Sequence, residues 1–204
     1  MGKMETSEST AALARPRSLH HTAYVTHDSA ATVAFYTDVL GMKLVSTVID
    51  DRIPSTGDPY PYIHIFFEME DGSTIAFFES LGLPPPAPPS HPAYDIFNHL
   101  ALDVGTKENV DRWIKRLQDK GIDIVGPTDH GIIYSVYFHD PNGLRLELTA
   151  NVSPTWRDHE EDAKAEMDAW ESIKKESRET NNPALVIDWI QKRRARHKLP
   201  ADPD

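Results

Sequence analysis

The feature that most constrains the fold of this chain is an internal repeat, in which two stretches with the same pattern begin about 78 residues apart. Each stretch opens with a short strand pattern, continues with a helical pattern that ends at a glycine, and closes with three further strand patterns. The helical patterns cover residues 28–40 before Gly41 and residues 106–120 before Gly121. The repeat therefore predicts an α+β fold of two βαβββ modules, whose strands form a curved mixed sheet around a cavity.

The segments outside the repeat have a different composition. A polar leader is expected over residues 1–17, and it contains no apolar stretch typical of a signal peptide. The repeat region, residues 18–152, divides into modules at 18–82 and 93–152, joined by a proline-rich connector at 83–92. Residues 153–204 are charged and helix-forming, which predicts a helical C-terminal extension. The expected location is the cytoplasm.

Charge and composition restrict the functions that the chain can have. With 32 acidic and 21 basic residues, the formal net charge is -11, so we expect neither a nucleic acid nor a membrane as partner. The chain has no cysteine, which excludes thiolate metal sites and cysteine nucleophiles. Any metal site must therefore use carboxylates and some of the ten histidines.

Equivalent positions in the two modules carry histidine. Because side chains of a strand alternate between its faces, His21 and His99 are predicted to face a shared cavity, and Glu147 on the last strand is predicted to point the same way. The position equivalent to Glu147 in the first module is Ala76. Two histidines and one carboxylate are typical of non-haem Fe(II) sites, and Mn(II) fits the same ligands. The alternative is that both histidines lie in the core and that Glu147 pairs with Arg145.

The sequence resembles the vicinal oxygen chelate superfamily over residues 18–152. The residues that carry this resemblance are His21 followed by Asp28, the segment 35–42, His99, and the segment 140–147. This superfamily includes glyoxalase I, bleomycin-resistance proteins, fosfomycin-resistance transferases and type I extradiol dioxygenases. The resemblance indicates the fold strongly and the reaction weakly, because one scaffold supports several reactions.

A finer pattern, residues 128–130 followed by 136–147, is similar to the signature of the extradiol ring-cleaving enzymes. The resemblance implies that His130 lies near the bound substrate hydroxyl and oxygen, and that Tyr137 donates a hydrogen bond to substrate or ligand. Such enzymes usually carry another acid–base histidine just before the last strand of the first module. This chain has Ser73 at that position, and His64 on a preceding strand is an alternative. The implied iron ligands are His21, His99 and Glu147.

These observations predict an Fe(II)-dependent extradiol-type dioxygenase that uses O₂ to open a catecholic or related hydroxylated aromatic ring. The acidity of the chain favours a small neutral aromatic substrate, and we expect a homo-oligomer. One alternative is a metal-dependent isomerase of the glyoxalase kind or a thiol transferase of the fosfomycin-resistance kind. Another is a metal-free binding protein of the bleomycin-resistance type. Ala76 argues against a four-ligand isomerase.

Further expectations concern residues around the site. Arg145 shares the face of Glu147 and is a candidate for binding a substrate carboxylate. Residues 53–61, rich in proline and glycine, are expected to form a loop at the mouth of the cavity. Six histidines are expected to be surface or packing residues: His20, His27, His91, His139, His159 and His197.

Overall fold

The structure, a computed structural model, describes residues 15–84 and 87–197. Most of the predicted leader, two residues of the predicted connector and the last seven residues of the predicted extension lie outside the described residues. The chain divides into two compact units, which we call unit 1 (Met1–Pro86) and unit 2 (Ala87–Asp204).

Unit 1 contains the first predicted module. Its elements are β1 (His21–Val25), α1 (Ser29–Ala34) with a following π-helical turn (Phe35–Val39), β2 (Lys43–Asp50), β3 (Tyr62–Glu68) and β4 (Thr74–Ser80). Asp28 caps the N-terminus of α1, and its side chain accepts a hydrogen bond from the Ala31 backbone N–H at 2.9 Å. Over its described residues the unit forms a four-stranded sheet in the order β1-β4-β3-β2, in which β1 runs parallel to β4 and the other pairs are antiparallel.

Unit 2 repeats this plan and then adds helices. Its elements are α2 (Ala93–Phe97), β5 (Leu100–Asp103), α3 (Lys107–Asp119), β6 (Val125–Asp129), β7 (Ile133–His139), β8 (Arg145–Asn151), α4 (Glu160–Glu179) and α5 (Ala184–His197). Thr106 caps α3 by accepting from the Asn109 N–H at 3.2 Å, as the sequence pattern predicts. The described strands again form a four-stranded mixed sheet, in the order β5-β8-β7-β6. The predicted α+β fold class is confirmed, with the strands divided between two open sheets.

The strand register confirms the correspondence between the modules. Ala23 of β1 pairs with Ala76 of β4, and Ala101 of β5 pairs with Glu147 of β8. Ala76 and Glu147 therefore occupy the same position in their sheets. The backbone of each module is built alike, and this position differs only in its side chain.

Each sheet places one face against its helix. In unit 1 the buried ring of Tyr36 stacks on Phe67 at 4.9 Å, and Phe77 lies beside them, fully buried. Along β1, His21 is exposed on one face while Tyr24 is half-buried on the other. Such alternation is what the period-two pattern of the sequence predicts. The helix-packed face thus forms the core, and the opposite face carries the histidine.

Helices α4 and α5 of unit 2 pack on each other. Trp170 contacts Trp189 with ring centroids 5.8 Å apart, and Arg193 forms an ion pair with Glu166. These contacts confirm that the C-terminal extension is helical over its described part. Within the described ranges, no helix combines the length and the apolar character that crossing a membrane requires.

Candidate functional site

The predicted site residues are divided between the two units. Unit 2 contains five of them: His99, His130, Tyr137, Arg145 and Glu147. Unit 1 contains the other three: His21, His64 and Ser73.

Glu147 is the buried centre of the group in unit 2. Its side chain is 2% exposed, although a carboxylate without partners is costly to bury. Oε2 lies 2.9 Å from Nε2 of His99, and Oε1 accepts a hydrogen bond from the Tyr137 hydroxyl at 3.2 Å. Strands β7 and β8 produce this arrangement, because Tyr137 and Glu147 are direct partners in the ladder. The carboxylate is therefore held on both oxygens.

His130 extends this hydrogen-bonded chain. Its Nε2 lies 2.8 Å from the Tyr137 hydroxyl oxygen. Because the hydroxyl has a single hydrogen and Glu147 accepts it, Nε2 of His130 must be the donor in this contact. Burial, followed by the charge of Glu147 and the hydrogen bond to it, raises the pKa of Tyr137 to about 12. The hydroxyl thus keeps its proton throughout the neutral range.

Arg145 does not take part in the carboxylate contacts. Its guanidinium lies over the ring of Tyr137, 4.6 Å from the ring centroid, and its buried Nε has no hydrogen-bond partner among the described residues. Glu147 pairs with His99 and Tyr137 instead, so the alternative interpretation of a pair between Glu147 and Arg145 is not what the structure shows.

A cavity of about 350 Å³ lies beside these residues. His99, His130, Tyr137 and Arg145 line its polar part, and Ile96 and Phe97 of α2 contribute apolar wall. Volumes of this order are typical of small-molecule sites with a few polar groups on apolar walls. Unit 2 thus presents two imidazoles and a guanidinium to a space that suits a small ligand.

His21 in unit 1 has a neighbour that sequence reasoning missed. Its Nδ1 lies 2.7 Å from Nδ1 of His20, a residue that we expected at the surface or in packing. This contact leaves Nε2 of His21 as the nitrogen available for a metal ion, since a hydrogen bond on one ring nitrogen selects the other for ligation. The adjacency of the two histidines was the signal in the sequence.

His64 lies on the same sheet face as His21. Its ring stacks on Phe78 at 3.5 Å, approaches Phe66 at 4.1 Å, and has its centroid 6.3 Å from that of His21. Burial, and secondarily the neighbouring His21, lowers the pKa of His64, so its imidazole is neutral at neutral pH. Its buried Nε2 has no hydrogen-bond partner within the described part of the chain.

Ser73 belongs to a turn instead of a polar cluster. Its hydroxyl donates to Oδ1 of Asp71 at 2.5 Å, and its backbone N–H donates to the same oxygen at 2.9 Å. These two bonds hold the pKa of Asp71 below its usual range. Of the two candidates for the missing acid–base group, His64 is the one with a ring contact to His21.

The donors of unit 2 fit part of a metal site. Nε2 of His99 and Oε2 of Glu147 are 2.9 Å apart. Two ligand atoms that each lie about 2.1 Å from one metal ion, at right angles to each other, are separated by about 3.0 Å, so the observed distance is close to that value. Imidazole and carboxylate suit Fe, Mn and Zn. In neither unit do the described residues bring together three His, Asp or Glu side chains that could hold an ion.

Comparison with known proteins places the chain in a family. Residues 18–148 match the glyoxalase/bleomycin resistance protein/dioxygenase superfamily. Among curated proteins, the chain is 32% identical over 143 residues to metapyrocatechase of Pseudomonas sp. (strain CF600), a match covering 63% of this chain and 38% of that protein. It is 29% identical over 136 residues to 2,2',3-trihydroxybiphenyl dioxygenase of Sphingomonas paucimobilis, covering 64% and 40%. The matched region thus spans about two fifths of the length of these relatives.

Another relative is matched over most of its length. Lactoylglutathione lyase of Salmonella typhimurium is 28% identical over 137 residues, covering 64% of this chain and 90% of that enzyme. Solved structures agree on the fold: a glyoxylase/bleomycin resistance protein/dioxygenase domain from Frankia sp. EAN1pec has a TM-score of 0.55 at 17% identity, covering 67% of this chain and 99% of that one. A glyoxalase/dioxygenase from Nostoc punctiforme has a TM-score of 0.52 at 26% identity, covering 71% and 100%. The chain belongs to the glyoxalase/bleomycin resistance protein/dioxygenase superfamily.

Proposed function

We propose that this protein is an Fe(II)-dependent extradiol-type dioxygenase, which uses O₂ to open a hydroxylated aromatic ring beside its hydroxyl-bearing carbons. The observation that carries the proposal is the buried Glu147, held by His99 and by a hydrogen-bonded chain through Tyr137 to His130. This set contains a carboxylate, an imidazole and two donor groups, and the residues other than Glu147 line one small cavity. The name of the relative 2,2',3-trihydroxybiphenyl dioxygenase supports a hydroxylated aromatic substrate.

The proposed metal ligands are the residues that the resemblance implies, His21, His99 and Glu147, with Nε2 as the ligating nitrogen of His21. Mn(II) would fit the same donors. A bound ion would supply Lewis-acid chemistry, orienting the substrate oxygens and O₂ and allowing charge to pass between them. Three protein ligands leave positions for both reactants.

Side chains of unit 2 supply positioning and proton control. Tyr137 keeps its proton because of its raised pKa, so it remains a hydrogen-bond donor beside Glu147. His130 lines the cavity and donates Nε2–H to Tyr137, so it can offer that hydrogen bond to an oxygen that develops negative charge nearby. In unit 1, His64 is the candidate for the remaining acid–base role, because the hydroxyl of Ser73 is bonded to Asp71.

Oxygen consumption tests this function directly. The protein is loaded with Fe(II) without oxygen, a panel of catechols is added with O₂, and oxygen uptake and the yellow ring-opened product are followed. We expect uptake with at least one catechol. The proposal is wrong if no catechol causes uptake while a thiol substrate is turned over with Mn(II) or Ni(II).

A second candidate function is that of a glyoxalase-like isomerase. The match to lactoylglutathione lyase favours it, because that match covers 90% of the enzyme. The fully buried Ala76 argues against it, since this position corresponds to Glu147 and leaves unit 1 without a fourth ligand. Turnover of a glutathione-derived substrate with Ni(II), alongside no oxygen uptake with catechols, would favour the isomerase.

A further inference from the structure

Unit 1 contains a second cavity, which none of the proposed metal ligands lines. It has a volume of about 690 Å³. Val25, Tyr62 and Phe78 form its floor on the sheet face, and Ile53, Pro54 and Tyr60 form its wall from the loop between β2 and β3. Residues 53–61, which the sequence predicted as a loop at the mouth of the metal cavity, contribute a side of this second cavity.

Hydrogen bonds within the loop hold the wall in place. The Ile53 N–H donates to the Asp58 carbonyl at 2.9 Å, and the Gly57 N–H donates to the Ile53 carbonyl at 2.7 Å. The hydroxyl of Thr56 donates to Oδ2 of Asp58 at 2.7 Å. The loop therefore presents its apolar side chains from a closed turn, so the cavity is formed before any ligand arrives.

The lining determines which ligands can bind. None of the residues around this cavity is charged, and the side-chain polar atoms are hydroxyls of serine and tyrosine. A charged ligand would lose its hydration there without gaining a partner. Three aromatic rings face the space, and two of them, Tyr62 and Phe78, meet edge to face at 5.3 Å. Such a lining favours a neutral ligand with flat apolar rings.

Ring contacts connect this cavity to a proposed metal ligand. Phe78 lines the cavity and also stacks on His64 at 3.5 Å, and the ring centroid of His64 is 6.3 Å from that of His21. We propose that this cavity binds the apolar ring of a neutral aromatic substrate with two or more rings. That the ligand is a substrate rests on the proposed function. The proposal adds the class to which this substrate belongs.

Binding to the metal-free full-length protein tests the cavity without requiring catalysis. The probe is 2-naphthol, followed by its fluorescence. Ile53→Asp places a charge in the wall, and Ser55→Trp fills the space from an exposed loop position. The matched control is Leu81→Asp, since Leu81 is 87% exposed and does not line the cavity. Thermal unfolding of each variant shows that it is folded.

We expect the first two variants to weaken 2-naphthol binding by about tenfold or more and the control to change it less than about twofold. The cavity assignment is overturned if 2-naphthol does not bind, or if both cavity variants bind it as tightly as the unaltered protein does.

An activity measurement separates this proposal from the proposed function. With the Fe(II)-loaded protein, we expect the ratio of kcat/KM for naphthalene-2,3-diol to that for benzene-1,2-diol to fall in Ile53→Asp and Ser55→Trp. Turnover of both diols with an unchanged ratio overturns the substrate assignment and leaves the dioxygenase function standing. Loss of 2-naphthol binding in the variants, with no turnover of any diol, supports the cavity and contradicts the dioxygenase.

Discussion

Units 1 and 2 contain the same βαβββ plan with different polar chemistry. In unit 2, the position paired with Ala101 is Glu147, and three polar side chains, His99, Tyr137 and His130, form a hydrogen-bonded chain with it. In unit 1, the equivalent position is Ala76, paired with Ala23, and the same sheet face carries a network of rings. One buried carboxylate therefore distinguishes two positions that are equivalent on the same backbone.

This comparison also explains the burial of each position. Glu147 is 2% exposed and has partners on both oxygens, as a buried carboxylate requires. Ala76 is fully buried and needs none. The two modules show that repeating a fold conserves the strand register, while the chemistry depends on which positions carry ionisable groups.

The largest expected effect comes from neutralising the carboxylate of unit 2. Glu147→Gln should weaken binding of Fe(II) or Mn(II) more than about 100-fold. Removing only the hydrogen-bond partner of a metal ligand typically weakens metal binding by about 10- to 100-fold, and this variant changes a ligand itself. Calorimetric titration without oxygen measures the affinity. Glu70→Gln, at an exposed turn of unit 1, is the control and should not change it. Equal affinity of both variants would contradict the ligand assignment.

Ala76→Glu inserts the missing carboxylate into unit 1. Because the position is fully buried, we expect the free energy of unfolding of the metal-free protein to fall by roughly 3 kcal/mol at neutral pH. Urea unfolding measures it, and Ala76→Gln controls for side-chain size. If Ala76→Gln lowers the free energy of unfolding as much as Ala76→Glu does, side-chain volume and not charge distinguishes position 76 from position 147.

His130→Ala tests whether the hydrogen-bonded chain of unit 2 acts in catalysis or in metal binding. We expect the variant to keep its affinity for metal and to lose about 100-fold in kcat, because a hydrogen-bond donor to the developing charge is removed. His99→Ala, by contrast, should abolish metal binding. If His130→Ala loses the metal as well, the division into ligands and hydrogen-bond donors is wrong.

His20→Ala tests the ring contact that orients His21. Since His20 occupies Nδ1 of His21, its removal should weaken metal binding by about tenfold without preventing it. His27→Ala, another exposed histidine of unit 1, is the control. An unchanged affinity in His20→Ala would return His20 to the surface role that the sequence suggested.

The smallest expected effect is on stability at high pH. The folded-state pKa of Tyr137 is raised to about 12, above the value of 10.0 for an ordinary tyrosine, so folding favours the protonated hydroxyl. Its contribution is complete below pH 10 and is lost as the pH rises towards 12. The free energy of unfolding is measured between pH 8 and 12 for the unaltered protein and for Tyr137→Phe. It should decline less with rising pH in the variant. Parallel curves would contradict this account.

Some parts of the site were predictable from sequence and others were not. The equivalence of His21 and His99 follows from the repeat, and the inward direction of Glu147 follows from strand alternation. The resemblance implied that His130 and Tyr137 act near the substrate, whereas the direct contact between them was not predicted. The rings around His64, the position of Arg145 over Tyr137 and the cavity wall at Ile53 depend on strand pairing and loop closure, which local patterns do not encode.

The two modules, their strands and helix ends, and the position at which they differ can all be read from the amino-acid sequence. Alternation and capping are local properties that a few neighbouring residues specify. The partners emerge from the folded chain: Glu147 with His99, His20 with His21, and the loop 53–61 with the sheet face of unit 1. They could not be read from local patterns, because a buried polar or aromatic group contacts whichever neighbours folding brings within reach.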